Sequence, residues 1–187
     1  MAVAGRCPTV RKGLGWYTAP MKIVHVDEAY QTGYTYDLTE PEGQHFDPDF
    51  TPDLTPKEML QAGIFGGDYF NEVPKELPAD WFEGVALSPK GAKAGLNCFN
   101  INASQPLSVW QKKGWIYLED PHGWFLWYCR YYRGRRIPEE DRRQIRRWRA
   151  MRRHLAQLRQ ACRPGDITCR PRQRQALLHW AYDTRTL

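Results

Sequence analysis

DPHGWFLWYCRYYRGRR, Asp120 to Arg136, is the stretch on which the fold turns. From Trp124 to Tyr132 it sets six aromatics and one leucine in nine residues. Five of its last seven residues (Arg130, Arg133, Gly134, Arg135 and Arg136) are Arg or Gly. At about 100° per residue, the aromatics and Cys129 cover roughly 200° of a helix circumference. A helix apolar over more than half its girth belongs in a core, so Trp124, Phe125 and Tyr128 are expected inside. Asp120 is placed to cap this helix, with Pro121 in its first turn and Gly134 past its end. Trp127 and Tyr131 fall at the edge of the arc, where an aromatic beside Arg130, Arg133, Arg135 and Arg136 suits base stacking and phosphate contact.

A second helix is expected from about Pro138 to Cys162. Ile145, Trp148, Met151, Leu155, Leu158 and Cys162 recur at three- and four-residue spacing and make one apolar face. Arg142, Arg146, Arg149 and Arg153 recur on the other side, a column of about 16 Å at 1.5 Å per residue. Arg143 and Arg147 flank it. Glu139, Glu140 and Asp141 stand in the first turn, where they complement the helix dipole, and Glu139 can pair with Arg143.

Charge is unevenly distributed. Residues 1–120 carry 10 Lys and Arg against 16 Asp and Glu, a net −6, whereas residues 121–187 carry 17 against 5, a net +12. All 17 of those bases are Arg. Crowded like charge on one helix calls for an anionic partner. Two are available: the acidic part of the chain, through Asp47, Asp49, Asp53, Glu72, Glu76 and Asp80, or a polyanion such as a phosphate backbone.

The remaining elements are short. KIVHV (Lys22–Val26) and YTYDL (Tyr34–Leu38) alternate and form a β-hairpin. Glu40–Leu54, rich in Pro and Asp, is expected extended over the surface; its acids are read as Asp-Pro turns rather than a Mg²⁺ site. Thr55, Pro56 and Glu58 spell a capping box, and Gly63, Gly66 and Gly67 stop the helix it begins. Short helices are expected over Leu77–Leu87 and Ser104–Gly114, a mobile loop over Ser88–Gly95, and a last helix from Pro171 that docks through Leu177, Leu178 and Trp180. The fold class is α+β and mostly helical: a small N-terminal β-hairpin, several short helices, a long Arg-rich helix and a C-terminal helix. A single domain spans 1–187, divided into an irregular arm (1–21), an acidic α+β part (22–120) and a basic helical part (121–187).

Chemistry is sparsely signalled. His154, Cys162, Cys169 and His179 lie 8, 7 and 10 residues apart, which is not zinc-finger spacing, and neither a metal nor another cofactor is expected. No nucleophile elbow, P-loop, helix-turn-helix, zinc-finger or RNA-recognition signature occurs. Glu119, Asp120 and His122 are the weak acid/base candidates, beside a pocket expected between the aromatic helix and the Gly66–Asp68 turn. The five cysteines are scattered, which suits free thiols in a reducing compartment. With no apolar leader and no apolar run of roughly 18 residues, a cytoplasmic or nuclear protein that is not secreted and not membrane-bound is expected. The leading expectation is a nucleic-acid-binding protein, for DNA or RNA, that grips phosphates with its Arg helix. An enzyme acting on nucleic acid or nucleotides is one alternative; a module for an acidic protein partner is another.

Overall fold

The structure, a computed structural model, describes residues 22–187; the irregular arm expected over 1–21 lies outside them. It is α+β and mostly helical. An antiparallel hairpin, β1 (Lys22–Glu28) and β2 (Gln31–Leu38), precedes six helices: α1 (Pro56–Gln61), α2 (Leu107–Lys112), α3 (Trp124–Tyr132), α4 (Pro138–Ala150), α5 (Arg152–Ala161) and α6 (Pro171–Leu178). The hairpin pairs Val24 with Tyr36 and Val26 with Tyr34, then shifts register at Val26/Asp27. Its inner face carries Val24, Val26 and Tyr36, a small apolar cluster of its own.

The main core gathers around α3. Every residue from Trp124 to Tyr131 is buried, including Leu126 and Arg130 on the side opposite the aromatic arc. The segment Glu40–Leu54 does more than lie over the surface, as expected of it. Phe50 is 2% exposed and plugs the core, with its ring centroid 5.0–5.6 Å from those of Trp127, Tyr128, Tyr131 and Trp148. Backbone bonds tie this segment to the end of α3: Thr39 and Glu40 N–H donate to the Gly134 carbonyl at 3.0 and 3.2 Å, and Gly43 N–H to that of Tyr132 at 2.8 Å. Gly134 has φ 110°, and a Cβ there would stand 1.9 Å from the Glu40 carbonyl oxygen. Only glycine permits that approach.

Local signals place several boundaries as expected. Thr55 Oγ1 accepts from Glu58 N–H while Glu58 accepts from Thr55 N–H, the reciprocal capping box. Pro171 opens α6, which buries Leu177 and Leu178 completely. Leu77–Leu87 forms only a single 3-10 turn over Ala79–Phe82, and α2 starts at Leu107 without a side-chain cap.

Two boundaries differ from the reading of the sequence. Asp120 does not cap α3; Gly123, at φ 85°, precedes the first helical residue. And the helix expected over 138–162 is broken at Met151. There Met151 N–H turns back to the Trp148 carbonyl at 3.0 Å, which also accepts the Tyr182 hydroxyl at 3.1 Å. A side-chain donor inserted into the carbonyl ladder is a sufficient cause of a break with neither Gly nor Pro. The Trp148 indole N–H reaches the Trp180 carbonyl at 2.9 Å, and the Trp148 and Tyr182 rings stack at 5.0 Å and 6°. So the C-terminal segment holds the joint between α4 and α5.

Beyond α5 the chain turns through Arg163–Thr168. Cys162 and Cys169, seven residues apart, are joined by a disulfide, which corrects the expectation of free thiols; Cys98 and Cys129 are free, and Cys129 is buried. The turn brings their Cα atoms to 5.8 Å, within bonding range. Arg174, 1% exposed, donates to the carbonyls of Asp166, Cys169 and Thr184 at 2.8, 2.9 and 2.8 Å and holds the same loop from within.

Candidate nucleic-acid interface

Two of the arginines that end the α3 stretch, Arg130 and Arg135, are buried, and the other two, Arg133 and Arg136, are partly exposed. Arg130 is fully buried, and its fork spans Glu76 with Nε to Oε2 at 3.0 Å and Nη2 to Oε1 at 2.6 Å. Its Nη1 donates to Asp120 Oδ1 at 3.1 Å and to the Glu119 carbonyl, and its Nη2 to Gln31 Oε1 at 2.8 Å. Arg135, 2% exposed, donates to Asp120 Oδ2 at 2.6 Å. Two guanidiniums thus meet two carboxylates out of water, and a third buried carboxylate, Glu28, accepts from Glu76 N–H at 3.0 Å. The β-hairpin seals it: Tyr30 and Tyr36 donate to the two Glu76 oxygens at 2.8 and 2.9 Å, and Tyr34 donates to Glu119 at 2.8 Å.

The electrostatics follow from burial. Burial pushes the Glu76 carboxyl up, but the Arg130 hydrogen bonds and charge, with the tyrosine hydroxyls, outweigh it and leave Glu76 below its ordinary value. Arg130 is held above its ordinary value because its carboxylate contacts outweigh desolvation. Burial raises Tyr34 to about 12, so its hydroxyl stays a donor.

Arg133 and Arg136 are spent on the protein as well. Arg133 donates to Tyr36 Oη at 3.2 Å and to the Glu76 carbonyl. Arg136 donates to the carbonyls of Tyr131, Arg135, Gln44 and His45 at 2.6, 2.9, 3.0 and 3.3 Å. Trp127, 0% exposed, donates its indole N–H to Asp141 Oδ1 at 2.8 Å, and Tyr131, 2% exposed, accepts from Asp47 N–H at 2.8 Å. The expected rim of Arg130, Arg133, Arg135, Arg136, Trp127 and Tyr131 therefore offers neither a free guanidinium nor an open ring face. Long-range partners, invisible to local periodicity, took them all.

The acid/base candidates are no better placed. Asp120 is 0% exposed with both oxygens on guanidiniums. His122 lies between Tyr30 and Phe70, its Nδ1 3.1 Å from the Tyr69 carbonyl; burial lowers its pKa. The cavity beside the glycine turn, bordered by Leu60, Phe65, Gly67, Tyr69 and Phe70, has a volume of about 20 Å³. That is room for about one water and not for an extruded base.

The α4–α5 face is different. Arg142, Arg146, Arg149 and Arg153 are all exposed, although the break at Met151 puts Arg153 on a separate helix. Of the acids expected to cover this column, only Asp49 does so, with Arg149 Nη1 at 2.5 Å; both side chains are about half exposed, at 46% and 61%. Such a pair is weak in water. Glu76 is engaged with Arg130, Asp80 with Lys57 at 2.6 Å, and Asp53 accepts from Asp183 N–H at 3.0 Å. Arg143 pairs with Glu140 rather than Glu139, through Nε at 2.6 Å and Nη2 at 2.7 Å. Arg147 donates to Gln144 Oε1 at 2.9 Å and to the Trp115 carbonyl at 3.2 Å.

Five further arginines are exposed: Arg152 and Arg159 on α5, Arg163 and Arg170 on either side of the Cys162–Cys169 turn, and Arg172 on α6. A single-column wheel left them out. With Arg142, Arg146 and Arg153 they make eight exposed guanidiniums without a carboxylate in ion-pair reach among the described residues. Residues 1–21 contain neither Asp nor Glu to meet them. Arg152 and Arg159 also border an open cleft of about 490 Å³ with Thr51, Asp53, Trp148 and Tyr182.

Among the described residues, no helix is long and apolar enough to cross a membrane. Compared with models of protein families, with curated proteins and with solved structures, the chain matches none.

Proposed function

We propose that this protein binds nucleic acid by gripping the phosphate backbone with the Arg face of α4 and α5. One observation carries the reading: eight solvent-exposed guanidiniums on α4, α5 and the turn that leads into α6 have no carboxylate in ion-pair reach among the described residues, although the chain holds 21 Asp and Glu. The buried arginines found carboxylates or carbonyls inside. These eight did not, and uncompensated like charge favours a polyanion. Arg suits that partner, since its fork donates two parallel bonds to a phosphate.

A cytoplasmic or nuclear location belongs with this reading, and RRQIRRWRAMRR (142–153) has the character of a nuclear-import tract. The disulfide sets a condition on it. In a reducing compartment Cys162 and Cys169 stand as thiols, and Arg174 with the hydrogen bonds to Asp166 then holds their loop.

The test is salt dependence. Each phosphate neutralised contributes about 0.9 to the log–log slope for duplex DNA and about 0.7 for a single strand. Replacing Arg142, Arg146 and Arg153 together by Gln is expected to flatten the slope by about 2 to 3 and to weaken binding at low salt. An unchanged slope refutes the reading. So does a wild-type protein with no measurable affinity for single- or double-stranded oligonucleotides at low salt, and that result favours an acidic protein as the partner of this face.

A further inference from the structure

We infer that Trp115 is a base-stacking platform beside the α4 Arg face, so that the favoured ligand is a strand with unstacked bases. This rests on the phosphate-gripping reading and adds a ligand class to it. Trp115 is the one exposed tryptophan among the described residues, at 41%. Trp81, Trp124, Trp127, Trp148 and Trp180 each pack against another aromatic ring, and Trp115 packs against none. Its recorded ring neighbour is a cation, the Lys113 ammonium at 4.6 Å from the centroid.

The backbone of Trp115 is tied to the basic helix. Arg147 Nη1 donates to the Trp115 carbonyl, and the Trp115 backbone N–H donates to the Trp110 carbonyl at 3.0 Å. Trp115 is thereby held next to α4, beside the residue that follows Arg146. Lys112 and Lys113, which close the preceding helix, are exposed, as is Leu118 at 88%. The carboxylates that act on neighbouring Tyr117 are engaged: Glu119 by Tyr34, Glu140 by Arg143 and Gln144, and Asp120 by Arg130 and Arg135. A partly exposed indole with the Lys113 ammonium over its ring and Arg147 on its carbonyl suits a nucleobase tethered to phosphates.

The geometry also selects among nucleic acids. Inside a duplex both faces of a base are covered by its neighbours, so an indole on the protein surface stacks only on bases that are already unstacked. The stacking role that the sequence suggested for Trp127 and Tyr131 thus passes to a residue outside the aromatic helix.

The experiment uses the full chain, a labelled fifteen-residue oligothymidine, and an abasic strand of equal length and charge. The wild type is expected to prefer the strand with bases by about 5- to 150-fold in Kd, the range for one stacked base. Trp115→Ala should abolish that preference while keeping the salt slope, and Trp115→Phe should keep most of it. Equal affinity of the wild type for the two strands, or an undiminished preference in Trp115→Ala, overturns the inference and leaves backbone binding intact. Failure of the wild type to bind either strand removes the reading on which it rests. Far-ultraviolet circular dichroism of each variant confirms that the comparison is between folded proteins.

Discussion

Asp120→Asn tests the buried cluster most directly. Asp120 is 0% exposed and supplies the only carboxylate contact of Arg135 as well as one of those of Arg130. Asparagine keeps one acceptor and turns the other oxygen into a donor, which then faces a guanidinium. The ion-paired set changes from two cations and two anions to two cations and one anion without access to water. Removing one partner of a buried pair costs about 3–5 kcal/mol, most of it the stranded charge. For a protein whose total stability is on the order of 5–15 kcal/mol, that is a large share. For a chain of this size the melting temperature should fall by roughly 6–20 °C. Urea unfolding followed by circular dichroism supplies the free energy, with an unchanged m-value as the control. A loss below about 1 kcal/mol would refute the reasoning, since it would mean that Arg130 and Arg135 are hydrated and free to meet an outside anion. In that case Asp120→Asn would also strengthen oligonucleotide binding, whereas the buried cluster leaves the salt slope untouched.

Two further outcomes follow from the fold. Burial lowers the His179 pKa from 6.5 to about 4, while its ring stacks on Phe65 and Nε2 lies 3.1 Å from the Ile64 carbonyl. The unfolded chain therefore takes up a proton below pH 6.5 that the native form refuses until about pH 4. Stability should fall by on the order of 3 kcal/mol across that window as pH drops, and urea midpoints for His179→Gln should show a correspondingly flatter pH profile; an identical profile would count against a buried neutral histidine. Gly134→Ala should fail to fold or lose more than about 3 kcal/mol, because its Cβ would overlap the Glu40 carbonyl; Gly84→Ala, at φ 74° with nothing within 4 Å of the added Cβ, should lose only the left-handed backbone cost of about 1–2 kcal/mol. Similar urea midpoints for the two variants would contradict the close approach at Gly134.

Local chemistry was legible wherever it acts over a few residues. The Thr55–Glu58 capping box, the alternation of the hairpin, Pro171 at the start of α6 and the apolar spacing of Ile145, Trp148 and Leu158 each state their own structure. The errors arose where the partner is distant. Glu76 lies 54 residues from Arg130, and no helical wheel can show that it waits in the core for that guanidinium. Tyr182 lies 34 residues from the Trp148 carbonyl it bonds, so periodicity alone continued the helix through Met151. Asp120 had two competing roles, cap and counter-ion; the buried charges decided between them, because an unpaired guanidinium costs more than a missing cap.

The sequence by itself determined that α3 is a core helix, that the C-terminal third is net basic with arginine as its only base, and that the fold is mostly helical with a small hairpin. Composition and period suffice for this, since apolar area must leave water and turn residues restrict the backbone wherever they stand. Only the tertiary structure decided which arginines remain available. It buried Arg130, Arg135 and Arg174, tied the partly exposed Arg133 and Arg136 to carbonyls, and left Arg142, Arg146 and Arg153 in water. A guanidinium has the same charge in either place, and what distinguishes the two is whether the folded chain brings a carboxylate or carbonyl to it.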